Sequence, residues 1–145
     1  MGVPGPRRKA REAALQVLFA ADASDQIDPV SIEEVYNSVL EEFPLSPRVR
    51  ERTAELTQGV ACNLKVVDER IGQACTHWKL NRMATVDRNI LRIAAYELLF
   101  EPATPVEVVL DEAVEIARRF ASESSTAFVN GVLDVIASEC RRGQR

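Results

Sequence analysis

The sequence predicts an all-α fold on three observations. No stretch alternates apolar and polar residues for long enough to make a strand, and apolar residues recur instead at three- and four-residue spacings. Proline, serine and glycine punctuate these runs, leaving short connections. Six or seven helices result, packed as bundles. The chain has 145 residues, 46% of them apolar, enough for one domain or two small subdomains sharing a core. No internal repeat of fixed period is evident.

The elements follow in order. Gly2, Pro4, Gly5 and Pro6 make residues 1–6 an irregular arm, with Pro6 placed to enter a helix. Over residues 7–21, Ala10, Ala13, Ala14, Val17, Leu18 and Ala21 gather in one arc, with Arg8, Lys9, Glu12 and Gln16 opposite. Phe19 breaks this pattern by projecting to the polar side near Arg8 and Leu15, so it is either half-buried by a neighbouring segment or a partner contact. Ser31, ahead of Glu33 and Glu34, reads as the N-cap of a helix that runs to about Phe43 and stops at Pro44. After Pro47 one long helix is expected to reach Ala74, with Gly59 and Gly72 marking close packing or a break. Residues 75–84 form a connector carrying His77 and Trp78. Thr85 then caps a helix through Phe100, with Asp87 in its first turn, and Pro102 and Pro105 stop it. In residues 106–120, Val109, Ala113, Ile116, Ala117 and Phe120 face in, while Asp111, Glu115 and Arg119 face out. Ser124 or Ser125 caps a last helix over residues 126–139.

Charge is segregated along this frame. The chain carries 18 Lys+Arg against 22 Asp+Glu, for a net charge of −4. Arg7, Arg8, Lys9 and Arg11 at one end and Arg141, Arg142 and Arg145 at the other hold seven of those bases with no acid among them. A positive end on a negative body either touches polyanions with one edge or is a solvated tail. No run of 18 apolar residues exists, and the charged start leads into an Ala/Leu/Gln helix rather than an apolar signal block, so a cytoplasmic protein is expected. Cys62, Cys75 and Cys140 are odd in number and widely spaced, which fits neither a disulfide framework nor a zinc site.

Chemistry at these positions points away from catalysis. None of the six glycines makes a phosphate-cradling loop. His77, the only histidine, would have to act alone as a base or share a metal with carboxylates of no recognisable spacing. Asp87, Asp111, Glu112 and Glu115 read as solvated helix faces, and no cofactor is implied. Glu97 falls inside the arc of Ile90, Ile93, Ala94 and Leu98, where a carboxylate must be paired, so it reads as a structural clamp. The opposite face shows Arg88, Arg92, Tyr96 and Asn89: either a nucleic-acid surface, with guanidinium groups forking onto phosphate and a phenol for a base to stack on, or a salt-bridged exterior. Gly131, inside the last helix at a cost of about 1 kcal/mol, is expected to admit another backbone. Asn130 lies outside the apolar arc and either caps a neighbouring segment or meets a base.

Four blocks together carry a resemblance: residues 8–19 (RKAREAALQVLF), 86–98 (VDRNILRIAAYEL), 111–117 (DEAVEIA) and 128–134 (FVNGVLD). In this order and separation they resemble the NusB family of bacterial transcription antitermination factors, over nearly the whole chain. The resemblance implies two three-helix subdomains, about 7–77 and 78–140, followed by a basic tail at 141–145. It also implies a non-enzymatic role: with the ribosomal protein NusE, such proteins bind single-stranded boxA RNA, chiefly of ribosomal RNA leaders, and help load an antitermination complex on RNA polymerase. Carried over by position, Arg7, Arg8, Lys9 and Arg11 are the RNA-contacting end, and Phe19, Asp87 and Arg88 belong to the partner surface. Ser124, Phe128 and Asn130 border the RNA, joined by Arg92 and Tyr96 from the face described above. This chain departs from the family where Ser124 replaces a frequent acid and Ala127 a frequent lysine, the first removing a repulsive charge near phosphate and the second a contact. Members are monomers or dimers, so a homodimer stays open. The alternative is a non-catalytic helical protein-interaction module without specific RNA binding.

Overall fold

The structure, a computed structural model, describes the backbone of residues 5–75 and 79–143 and side chains as far as Arg141; His77 and Trp78 lie outside the described residues. Among these, seven α-helices and one short 3-10 turn account for the regular structure, with no strand. They are α1 (Pro6–Ala23), α2 (Ser31–Leu40), α3 (Pro47–Cys62), α4 (Leu64–Ala74), the turn Leu80–Arg82, α5 (Thr85–Phe100), α6 (Val106–Phe120) and α7 (Glu123–Gly143). The chain divides into two compact units, Met1–Leu64 and Lys65–Arg145, between α3 and the body of α4. The sequence reading placed that division near residue 77.

In the first unit α1 packs on α3 and α2. Ala10, Ala14 and Ala21 are fully buried, and such small side chains let α3 come close: the Thr53 hydroxyl reaches the Ala10 carbonyl at 3.5 Å and bonds the Val49 carbonyl at 2.7 Å. Pro6 occupies the first turn of α1 as expected, and Asp25, with φ 55°, takes the left-handed conformation just past its end. Three helix ends differ from the sequence reading. Asp28 rather than Ser31 caps α2, its carboxylate accepting from the Val30 and Ser31 amides at 3.1 and 2.8 Å, so Ser31 becomes the first helical residue. The helix also stops at Leu40, and Phe43 is exposed beyond it. The long helix after Pro47 is two helices, because the Asn63 side chain bonds the Gly59 carbonyl at 2.8 Å while its amide turns back to the Gly59 and Val60 carbonyls. Neither glycine supplies the break, and a Cβ added at Gly72 would touch nothing.

In the second unit α5 packs on α6 and α7 around Ile90, Leu91, Ala94, Val109, Ile116, Leu133 and Ile136. Thr85 is the first residue of α5 rather than its cap, and Ala84 precedes it without a side-chain cap. Ser122 opens α7: its Oγ accepts from the Ser125 amide at 3.1 Å and its carbonyl from the Thr126 amide at 3.0 Å. The helix therefore starts earlier than either Ser124 or Ser125 would allow, and it runs on through Gly143. Arg141, read as part of a tail, is helical and pairs with Glu107 at 2.9 Å. Phe120, read as inward, is 42% exposed, with the Arg119 guanidinium 5.7 Å from its ring centre.

Candidate nucleic-acid interface

The first turn of α1 contains no acid, and its bases sit where a helix already presents unpaired N–H groups and a partial positive charge. Cations there lose a few tenths of a kcal/mol to the helix dipole, a cost that an approaching anion reverses. Arg7 and Lys9 are exposed and Arg8 is half-buried. Arg11 departs from the expectation. It is only 5% exposed, because it shares a helix face with Leu15 and Leu18, both buried. The exposed basic edge is thus Arg7, Arg8 and Lys9, with Arg11 packed behind it. Phe19 is 44% exposed while Leu15, one turn earlier, is buried, so the aromatic stands at the rim of the core.

On α5 the structure divides the face that the sequence grouped. Arg92 is 6% exposed and fully engaged: Nε and Nη2 donate to the two Asp68 carboxylate oxygens at 2.9 and 3.0 Å, and Nη1 donates to Asn89 Oδ1 at 3.0 Å. Asn89 is itself fully buried and bonds the Thr85 carbonyl at 2.9 Å. Neither side chain is presented to a ligand, which corrects the assignment of Arg92 to RNA. The sequence held the warning, since Leu91 and Ala95 lie beside Arg92 and make α5 apolar nearly all round. What it could not show was which acid would meet the arginine. Arg88 is half-buried, donating to the Leu80 carbonyl at 3.2 Å. Tyr96 is half-buried and stacked on Phe100 with ring centres 5.5 Å apart. Asp87, in the first turn, has a buried Oδ1 with no hydrogen-bond partner among the described residues.

On α7, Ser124 and Asn130 are exposed and Phe128 is half-buried. Ser124 Oγ lies 3.0 Å from Ser122 Oγ at the positive end of the helix. Gly131 admits no other backbone among the described residues: it is exposed, and an added Cβ would meet nothing within 4 Å. Beside this stripe, α6 and α7 enclose an open groove of about 480 Å³ whose walls include Asp111, Val114 and Arg118 on one side and Ala127 and Asn130 on the other.

Comparison with known proteins decides the family. The pattern of the NusB family matches residues 8–138. The chain belongs to the NusB family. Among curated members it is 49% identical over 141 residues to the transcription antitermination protein NusB of Sorangium cellulosum, covering 97% of this chain and 98% of that one. It is 43% identical over 143 residues to the protein of the same name from Anaeromyxobacter dehalogenans, covering 96% and 97%. Among solved structures it matches Thermotoga maritima NusB with a TM-score of 0.83 at 40% identity, over 96% of this chain and 94% of that one. It also matches, with a TM-score of 0.83 at 26% identity and over 92% and 97% of the two chains, a structure of the antitermination factors NusB and NusE in complex with dsRNA. No helix among the described residues is long and apolar enough to cross a membrane.

Proposed function

We propose that this chain is a transcription antitermination factor which, together with the ribosomal protein NusE, binds boxA RNA of nascent transcripts, notably ribosomal RNA leaders, and helps assemble a processive complex on RNA polymerase. It acts in the cytoplasm by binding and catalyses no reaction. The observation that carries this reading is the placement of Arg7, Arg8 and Lys9 on the positive end of α1 in a chain of net charge −4. Such an edge gains from phosphate what it loses to the helix dipole.

In the first unit, Arg7, Arg8 and Lys9 take phosphates, with Arg11 holding the turn from behind. In the second, Phe128 offers a ring on which an unstacked base can lie, and Asn130, Ser124 and Tyr96 offer polar atoms and a further aromatic edge. Phe19, Asp87 and Arg88 are assigned to NusE: the first unit offers a half-exposed aromatic, and the second a carboxylate with an unsatisfied oxygen and a half-buried cation, groups that suit a protein partner. A basic ribosomal protein would also be drawn to the acidic body.

The test is fluorescence anisotropy of a labelled boxA-type RNA against a scrambled one, with and without NusE, at two salt concentrations. Selective binding, strengthened by NusE and weakened by Arg7→Ala with Lys9→Ala, is expected. About three phosphate contacts give a slope of roughly −2 in log affinity against log salt. Equal weak binding to both RNAs, indifferent to NusE, overturns the reading and leaves a helical interaction module.

A further inference from the structure

Of the side chains that line the groove between α6 and α7, only Asn130 has a role assigned above. Its volume, about 480 Å³, falls within the range of small-molecule sites, about 300–1,000 Å³. It is built by matched spacing: Asp111, Val114 and Arg118 mark successive turns of α6, and Ala127 and Asn130 successive turns of α7. Val114 and Ala127 give an apolar wall against which a flat ring can lie, and the polar groups stand at its edges. Arg118 Nη1 donates to Glu115 Oε2 at 2.6 Å, with the guanidinium at the rim. The Asp111 carboxylate is exposed on the α6 wall of the groove.

We propose that this groove is a nucleobase subsite that selects guanine. The proposal rests on the RNA-binding reading above and adds to it where one base goes and which base it is. Three carboxylates, Asp111, Glu115 and Glu123, surround one guanidinium, so a phosphate is repelled and only a neutral part of the RNA can enter. A carboxylate accepts hydrogen bonds and gives none. Uracil presents one donor between two acceptors, and adenine and cytosine each present an amino donor beside a bare ring nitrogen, so each would set a lone pair against the second carboxylate oxygen. Guanine alone offers two adjacent donors, N1–H and N2–H, which match both oxygens of Asp111. Its other edge carries O6 and N7, the acceptor pair that an arginine fork fits, and Arg118 stands on the same helix to meet it. Asn130 is then a positioning residue on the opposite wall, and Phe128 remains a stacking surface for another base.

The experiment titrates single-stranded boxA-type RNA with the full chain and NusE, each guanine in turn replaced by inosine, which lacks only the 2-amino group. The proteins are wild type, Asp111→Asn, Arg118→Met and, as a reference for the RNA reading itself, Phe128→Ala. At one guanine, inosine is expected to weaken wild-type binding by about tenfold, the order of a lost base-edge contact. Asp111→Asn is expected to bind the guanine and inosine forms equally, and Arg118→Met to weaken both while keeping their ratio. The subsite is overturned, with the RNA reading intact, if Phe128→Ala lowers affinity but no guanine position is sensitive to inosine in wild type. It is overturned likewise if Asp111→Asn tightens all RNAs alike, which would make the groove merely repulsive, or if Asp111→Asn weakens NusE binding alone, which would make it a seat for a basic protein segment. If wild type does not distinguish boxA-type from scrambled RNA, both readings fall. Asp111 and Arg118 are exposed, so thermal melting separates these outcomes from loss of fold.

Discussion

The first turn of α1 and the middle of α5 hold the same chemical group in opposite states. Arg7 stands exposed at a helix end with no acid in its turn, whereas Arg92 is buried and forked onto Asp68 with Asn89 behind it. The first costs the fold a little and is available to a ligand. The second is part of the fold and available to nothing. What separates them is whether a neighbouring helix delivers a carboxylate, a fact of tertiary structure that helical projection alone does not contain.

Breaking this contrast at its strong end has the largest expected effect. Arg92→Ala leaves Asp68 and Asn89 without their donor and should cost about 3 kcal/mol in urea or thermal unfolding, the low end for a buried pair because Asp68 keeps some water. The affinity of the molecules that remain folded should not change; a selective loss of RNA binding at unchanged stability would return Arg92 to the interface. At the weak end, Arg7→Ala with Lys9→Ala should leave the melting temperature unchanged or slightly raised, yet lower RNA affinity about tenfold near 0.1 M salt and flatten the salt slope by roughly 0.7 per contact.

Much of the fold was legible in the sequence because helix periods and prolines are local signals. The helices at residues 6–23, 85–100 and 106–120 lie where their apolar arcs placed them. The errors concern side chains that act at a distance of three or four residues or across helices. Asp28 outcompeted Ser31 for the start of α2, Asn63 folded back to end α3, and Ser122 opened α7 ahead of two other serines. In the candidate site, the exposure of Lys9, Phe19 and Asn130 followed from helical angle. The burial of Arg11 did not, since a cation on a core face is hidden by what packs over it.

Gly131 sharpens the contrast further, because its cost has no internal return. Gly131→Ala should stabilise α7 by about 1 kcal/mol, as the added methyl meets open space, and the denaturation midpoint should move up accordingly. A fall in stability would reveal a contact at that position. The smallest effect concerns Asp28. Hydrogen bonds from Ser31, then from Val30, hold its carboxyl below the ordinary carboxylate value of 3.8. Its contribution is therefore present above the unfolded value and is lost as pH falls through the lower folded value. Asp28→Asn should flatten the stability–pH curve on its acid side, with the change in slope confined to below about pH 4; an unchanged acid limb would mean the cap is not formed in solution.

The pairing of Arg92 with Asp68, joined by the 3.1 Å pair of Arg70 with Glu139, fastens α4 to α5 and α7 by charge, although α4 buries only Val67 and Ile71 among its own residues. A short helix with so little apolar anchorage would ordinarily fray on its own. Tied at two points, it should open with the helices it is bonded to, so the amide protons of α4 should exchange with solvent as one cohort with those of α5, and that cohort should split in two once the salt concentration or Arg92→Ala loosens the ties.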